Sequence, residues 1–141
     1  DISIVFIAFG AEEAGLVGSY FFTAYPPVAL GKIKFVVNLD LFGTGESGIT
    51  AVNAEEQENA FTLLKEINEE NRYLKEVKKR GQAANSDHYF FSQNGVPALF
   101  FYLMGNWPYY HNVQDDTAVP LTAFKPAFAL MRDFIKEISI Q

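Results

Sequence analysis

The sequence predicts an α/β fold, with a largely parallel or mixed central sheet and helices on both faces. Two observations predict it. Short apolar runs rich in β-branched and aromatic residues recur at 2–9, 33–39 and 96–103; they have the length of strands and the two-sided apolarity of strands covered by helices. Segments with helical spacing of apolar residues lie between and after them, at 15–24, 54–70 and 121–138. Strands alternating with helices assemble as layers around one sheet.

The first run, 2–9, ends at Gly10, and a helix is expected from Gly15 to Ala24 with Leu16, Tyr20 and Ala24 inward and Val17 and Phe21 beside them. Tyr25-Pro26-Pro27 breaks that helix. The second run ends at Asp40 and leads into the glycine-rich loop 41–48, which lacks the lysine and spacing of a phosphate-binding loop and reads as a flexible turn. Residues 49–52 read as a short extra strand. In the helix 54–70, Ala60, Phe61, Leu64 and Ile67 form the buried stripe. Residues 76–80 are polar enough for an edge strand, and their lysines and arginine for a solvated surface. Ser86 is expected to cap a short helix through Gln93. Pro97 is admissible at the start of the next strand. The last helix should bury Phe124, Phe128, Met131, Phe134 or Ile135, and Ile138.

With 141 residues, 49% of them hydrophobic, the chain has the length of one domain and a well-filled core. A net charge of −6 argues against a nucleic-acid partner. No apolar stretch has the length of a membrane span. The absence of cysteine excludes thiolate metal sites and disulfides. The chain starts at Asp1, directly ahead of a buried-type strand, so an upstream part of the protein is expected.

Acids and an imidazole collect where strands are expected to end. Glu12 and Glu13 lie in the turn after the first run, Asp40 ends the second, and His111 lies in the aromatic loop Trp107-Pro108-Tyr109-Tyr110-His111 after the third. Open α/β folds place ligands at that edge of the sheet. Carboxylates and imidazole without thiolates suit a catalytic zinc or a related divalent ion. Each residue also has a plainer reading. The glutamates could complement a helix N-terminus, Asp40 could be a turn acid, and His111 could be a loop histidine bonded to an aspartate such as Asp115.

The segment Phe9-Gly10-Ala11-Glu12-Glu13-Ala14-Gly15-Leu16-Val17-Gly18-Ser19, then Asn38-Leu39-Asp40, then Ser86-Asp87-His88, then Tyr110-His111 followed by Asp115 and Asp116, resembles the M-twenty-eight family of co-catalytic zinc aminopeptidases. The resemblance implies that Glu12 is the general base, that Glu13 and His111 ligate one zinc, and that Asp40 ligates the other. It implies that Ser86, Asp87 and His88 line the substrate side, and Trp107, Tyr109 and Tyr110 are candidates for a wall of the substrate pocket. It further implies a peptide substrate and a secreted or periplasmic rather than a cytoplasmic compartment. In the family a His-x-Asp motif and a metal-bridging aspartate precede the Glu-Glu strand, and neither is in this chain. The chain 1–141 is therefore expected to be the C-terminal part of one catalytic domain, inactive alone, with the missing part or a second copy covering an exposed sheet surface. A tyrosine that some members carry three residues before the Ser-Asp-His serine is Ala83 here. Two rival readings share the fold: a single-zinc glutaminyl cyclase, which transfers an acyl group, and a non-catalytic peptidase-like binding domain.

Overall fold

The computed structural model describes residues 2–115 and 119–140; Asp116, one of the two acids after the Tyr-His motif, lies outside them. The elements are α1 (Val17–Ala24), β1 (Val36–Leu39), β2 (Gly48–Val52), α2 (Glu58–Asn71), β3 (Val77–Lys79), α3 (His88–Gln93), β4 (Ala98–Met104) and α4 (Phe124–Ile138). The four strands form one sheet in the order β1-β4-β2-β3. β1 runs parallel to β4 and β2 parallel to β3, while β2 and β4 are antiparallel. The sheet is thus mixed, with helices on both faces. The short strand expected at 49–52 is β2, and it is buried along its whole length between β4 and β3. Gly48 permits this, since its φ is +116° and a Cβ there would lie 2.2 Å from the carbonyl oxygen of Glu76.

Side-chain alternation along the strands separates two layers. On one face Ile49, Ala51, Leu99, Phe101 and Leu103 pack with Phe61, Leu64 and Ile67 of α2 and Ala127, Leu130, Met131 and Phe134 of α4. The α2 stripe is the expected one. The α4 stripe is the expected one only at Met131 and Phe134: Phe124 and Phe128 are exposed, and Ala127 and Leu130 are buried instead. The small Ala127 lets the helix approach the sheet, and the seam continues at Leu130, Met131 and Phe134. On the other face Phe91, Val96 and Ala98 gather Phe9, Phe22, Leu30, Ile33 and Val36.

Three further expectations are corrected. Residues 2–9 do not form a strand buried on both sides. They belong to no sheet, and Ile2, Ile4, Val5, Phe6 and Ile7 are exposed, Phe6 at 90%. An apolar run becomes a strand only with a partner ladder, and among the described residues none pairs with it. The helix expected from Gly15 starts at Val17, because Gly15 and Leu16 have φ of +103° and +59°. Its buried residues are Ser19 and Thr23, whose hydroxyls bond back to helix carbonyls, while Tyr20 and Phe21 face out. The strand expected from residue 33 begins at Val36, since a 3₁₀ turn at Leu30–Lys32 precedes it.

His88 is 1% exposed and its ring stacks on Phe100 with centroids 5.3 Å apart. Both ring nitrogens lack a well-aligned partner. Burial pushes its pKa down to about 4, against a smaller opposing effect of the backbone at Ser86 and Ala83. The unfolded chain titrates near 6.5. Between about pH 6.5 and 4 the unfolded state therefore binds a proton that the folded state refuses, and stability falls as pH falls through that window. The loss should approach ~3 kcal/mol. In urea titrations His88→Leu should lose less stability than the wild type between pH 6.5 and 4; parallel pH dependences would contradict this.

Candidate active site

Four separate segments converge on one cleft of about 720 Å³ above the α1–α3 face of the sheet, on the side where β1 ends. The first is the turn between Phe9 and α1. Ala11, Gly15 and Leu16 all have positive φ, and the Glu12 carbonyl accepts hydrogen bonds from the amides of Gly15 and Leu16 at 3.0 and 2.8 Å. The turn is pinned to the helix where the Gly18 amide donates to the Gly10 carbonyl at 3.0 Å. A Cβ on Gly18 would lie 2.5 Å from that same oxygen, so glycine is required there. The result places both Glu12 and Glu13 in the lining of the cleft.

The second segment is the end of β1, where Asn38 and Asp40 also line the cleft. Asp40 Oδ1 accepts the Leu41 amide at 2.7 Å, and Asp40 Oδ2 accepts the Ser86 hydroxyl at 3.3 Å. The third is the approach to α3. Ser86 was expected to cap this helix, but the N-cap residue is Asp87 and makes no side-chain capping bond. The Ser86 hydroxyl serves Asp40 instead, accepting a bond from Asn38 Nδ2 at 2.7 Å. Ser86 and Asp87 line the cleft; His88 does not, being buried against Phe100. The fourth segment is the aromatic loop. Tyr110 and His111 line the cleft, whereas Trp107 and Tyr109 meet edge to face outside the lining, 5.1 Å between centroids. Asp115 takes the Trp107 indole N–H at 2.7 Å and makes no hydrogen bond to His111 among the described residues. His111, with φ +56°, faces Glu13 instead, Nδ1 lying 3.8 Å from Oε1.

Crowded acids set the electrostatics. Burial first, then Asp40, Glu13 and Asp87, raise the proton affinity of the Glu12 carboxylate, and His111 opposes them. The Tyr110 hydroxyl is pushed up by burial and by Asp40, Glu13, Glu12 and Asp115, so it stays a protonated donor. Beyond the expected residues, Arg80, Asn85, Phe100 and Tyr102 line the same cleft. The readable signal was the period of two, which puts Asn38 beside Asp40 and Tyr102 beside Phe100.

Does this donor set fit a zinc ion? Two zinc bonds of about 2.0–2.2 Å span up to ~4 Å between donor atoms. Glu13 Oε1 and His111 Nδ1 at 3.8 Å are within that reach and too far apart for a hydrogen bond to each other. The described residues hold no group of three or more His, Cys, Asp or Glu placed to bind a metal together. The pair fits part of a zinc site.

The sequence profile of Peptidase family M28 matches residues 1–135. A search of curated proteins finds no match. Among solved structures, a zinc aminopeptidase from Bacillus subtilis superposes with a TM-score of 0.76 at 23% identity, over 92% of this chain and 34% of that one. The aminopeptidase from Aneurinibacillus sp. strain AM-1 gives 0.67 at 27% identity, over 94% and 32%. Glutaminyl cyclase from Porphyromonas gingivalis gives 0.73 at 15% identity, over 92% and 51%. The chain spans about a third of the length of the two aminopeptidases. A match along nearly the whole sequence, on a fold shared with aminopeptidases, makes the chain a member of Peptidase family M28.

Proposed function

We propose that the protein containing this chain is a zinc-dependent aminopeptidase, which hydrolyses the N-terminal peptide bond of peptides. The observation that carries this reading is the approach of Glu13 Oε1 to His111 Nδ1 at 3.8 Å, in a cleft that Glu12 and Asp40 also line. In it Glu13 and His111 hold one zinc and Asp40 holds a second. Zinc, when bound, supplies Lewis-acid polarisation of the scissile carbonyl and of water. Glu12 accepts the proton from the attacking water at its carboxylate and returns it to the departing amine. Tyr110, kept protonated by burial and by the surrounding acids, offers a hydroxyl donor where Ala83 cannot. Ser86 and Asp87 border the substrate space, and Trp107 and Tyr109 stand as an outer aromatic wall. The glutaminyl cyclase neighbour shares the fold, and two zinc ions per active protein would separate the hydrolase from a single-zinc acyl transferase. The compartment we propose is secreted or periplasmic, on family resemblance alone.

We infer that the exposed apolar residues of 2–7 and of α1 make a face that other parts of the same domain cover in the intact protein. Taken alone, the 141-residue chain should self-associate through this face and show no aminopeptidase turnover, since it brings two ligands to one zinc where catalytic sites use three. Sedimentation velocity and an assay on the purified chain check this; an active monomer would contradict it.

In the intact enzyme the two glutamates should fail differently. Glu12→Gln keeps size and hydrogen-bonding reach but accepts no proton, so kcat should fall roughly 10²–10⁴-fold at normal zinc content. Glu13→Gln should lose zinc, and added metal should restore part of the activity. Were both only helix-start acids, each change would cost about 0.3–1 kcal/mol of stability and leave kcat alone. Equal zinc loss in both variants would refute the division of roles.

A further inference from the structure

Asn38 opens the Asn38-Leu39-Asp40 segment without a role of its own in the site described above, yet it stands at the head of a directed chain of hydrogen bonds. Its Nδ2 lies 2.7 Å from Ser86 Oγ, and Ser86 Oγ lies 3.3 Å from Asp40 Oδ2. The amide NH₂ is a donor only. It therefore occupies an acceptor lone pair of the Ser86 oxygen and leaves the hydroxyl proton to point at Asp40. The carboxylate also receives the Leu41 amide on its other oxygen, Oδ1, at 2.7 Å. Both oxygens of Asp40 are thus held from behind, one by backbone and one by a side-chain relay.

Burial makes the relay directional. Ser86 is 1% exposed, while Asn38 and Asp40 are half-buried at the cleft. Asn38 and Asp40 lie two residues apart on β1 and its end, so the pleat turns both toward the cleft. A chain of donors ending on an anion polarises along its length, and each link strengthens the next. A residue at position 38 without a donor would leave an acceptor site of the Ser86 oxygen unfilled and its hydroxyl freer to rotate, so its hold on Asp40 would loosen while the backbone anchor stayed.

We propose that Asn38 is a positioning residue: by orienting the Ser86 hydroxyl it fixes the Asp40 carboxylate for the metal ion that Asp40 holds. The proposal rests on the zinc reading above and names a residue of that site outside its ligands and base. Groups that orient a metal ligand from behind typically affect metal affinity 10–100-fold when removed.

The experiment is a chelator-competition titration of zinc on the full-length protein and on Asn38→Leu, Ser86→Ala, the double variant and Asp40→Asn. Asn38→Leu and Ser86→Ala should each weaken one zinc by roughly 10–100-fold. The double variant should be no weaker than the weaker single variant, because Asn38 acts only through Ser86. An unchanged zinc affinity in Asn38→Leu, or losses that multiply in the double variant, would overturn the relay. Should Asn38→Leu not fold, Asn38→Ala carries the same expectation. Asp40→Asn separates the two levels of the account. Zinc affinity unchanged there would overturn the ligand reading itself, and the relay with it. Weakened zinc there beside a wild-type affinity in Asn38→Leu would overturn the relay alone.

Discussion

The strand β4 is the constraint on which the rest of the structure depends. It lies between β1 and β2, parallel to one and antiparallel to the other, and its side chains alternate between two tasks. Leu99, Phe101 and Leu103 point into the core with α2 and α4. Phe100 and Tyr102 point the other way and line the cleft. A shift of register by one residue would exchange the two sets, exposing the core residues and burying the cleft floor. The Phe100 ring also seats His88, which anchors the start of α3 and so the position of Ser86 and Asp87. Apolar packing on one face thus fixes the place of polar chemistry on the other.

The cleft gathers like charges that folding alone would not reward. Glu12, Glu13, Asp40 and Asp87 line it together, with Arg80 and His111 as the positively charged or chargeable groups. Burial first, and then repulsion among these acids, raises the proton affinity of Glu12 and of the Tyr110 hydroxyl. The turn that carries the glutamates contains positive φ at Ala11 and Leu16 and needs Gly18 for its closest approach. Backbone in a sparsely populated conformation and crowded acids at one place are the pattern of a functional site.

Much of this was legible in the residues. The edge strand at β3, the α2 stripe of Ala60, Phe61, Leu64 and Ile67, and the break after α1 follow from local pattern, because each element meets its partners nearby in space. Apolarity alone misled at residues 2–9, which no strand among the described residues pairs with, and at α4, where Ala127 rather than Phe124 or Phe128 meets the sheet. The acidic turn, Asp40 and His111 could be picked out by type and by their expected place at strand ends. Their meeting at one edge was expected from where open α/β folds place ligands, whereas the order of the strands was not legible, and the short extra strand read at 49–52 lies inside the sheet as β2. Ser86 read as a helix cap from its neighbours in sequence, and its true partners, Asn38 and Asp40, come from a distant strand.

The central claim is that Glu13 and His111 are two ligands of one zinc ion. Crystals of the full-length protein grown with zinc, measured on both sides of the zinc absorption edge, test it most directly. The account predicts one anomalous peak bonded to Glu13 Oε1 and His111 Nδ1 at about 2.0–2.2 Å, and a second bonded to Asp40. Zinc bound elsewhere, with Glu13 and His111 still facing each other 3.8 Å apart and nothing between them, would contradict it.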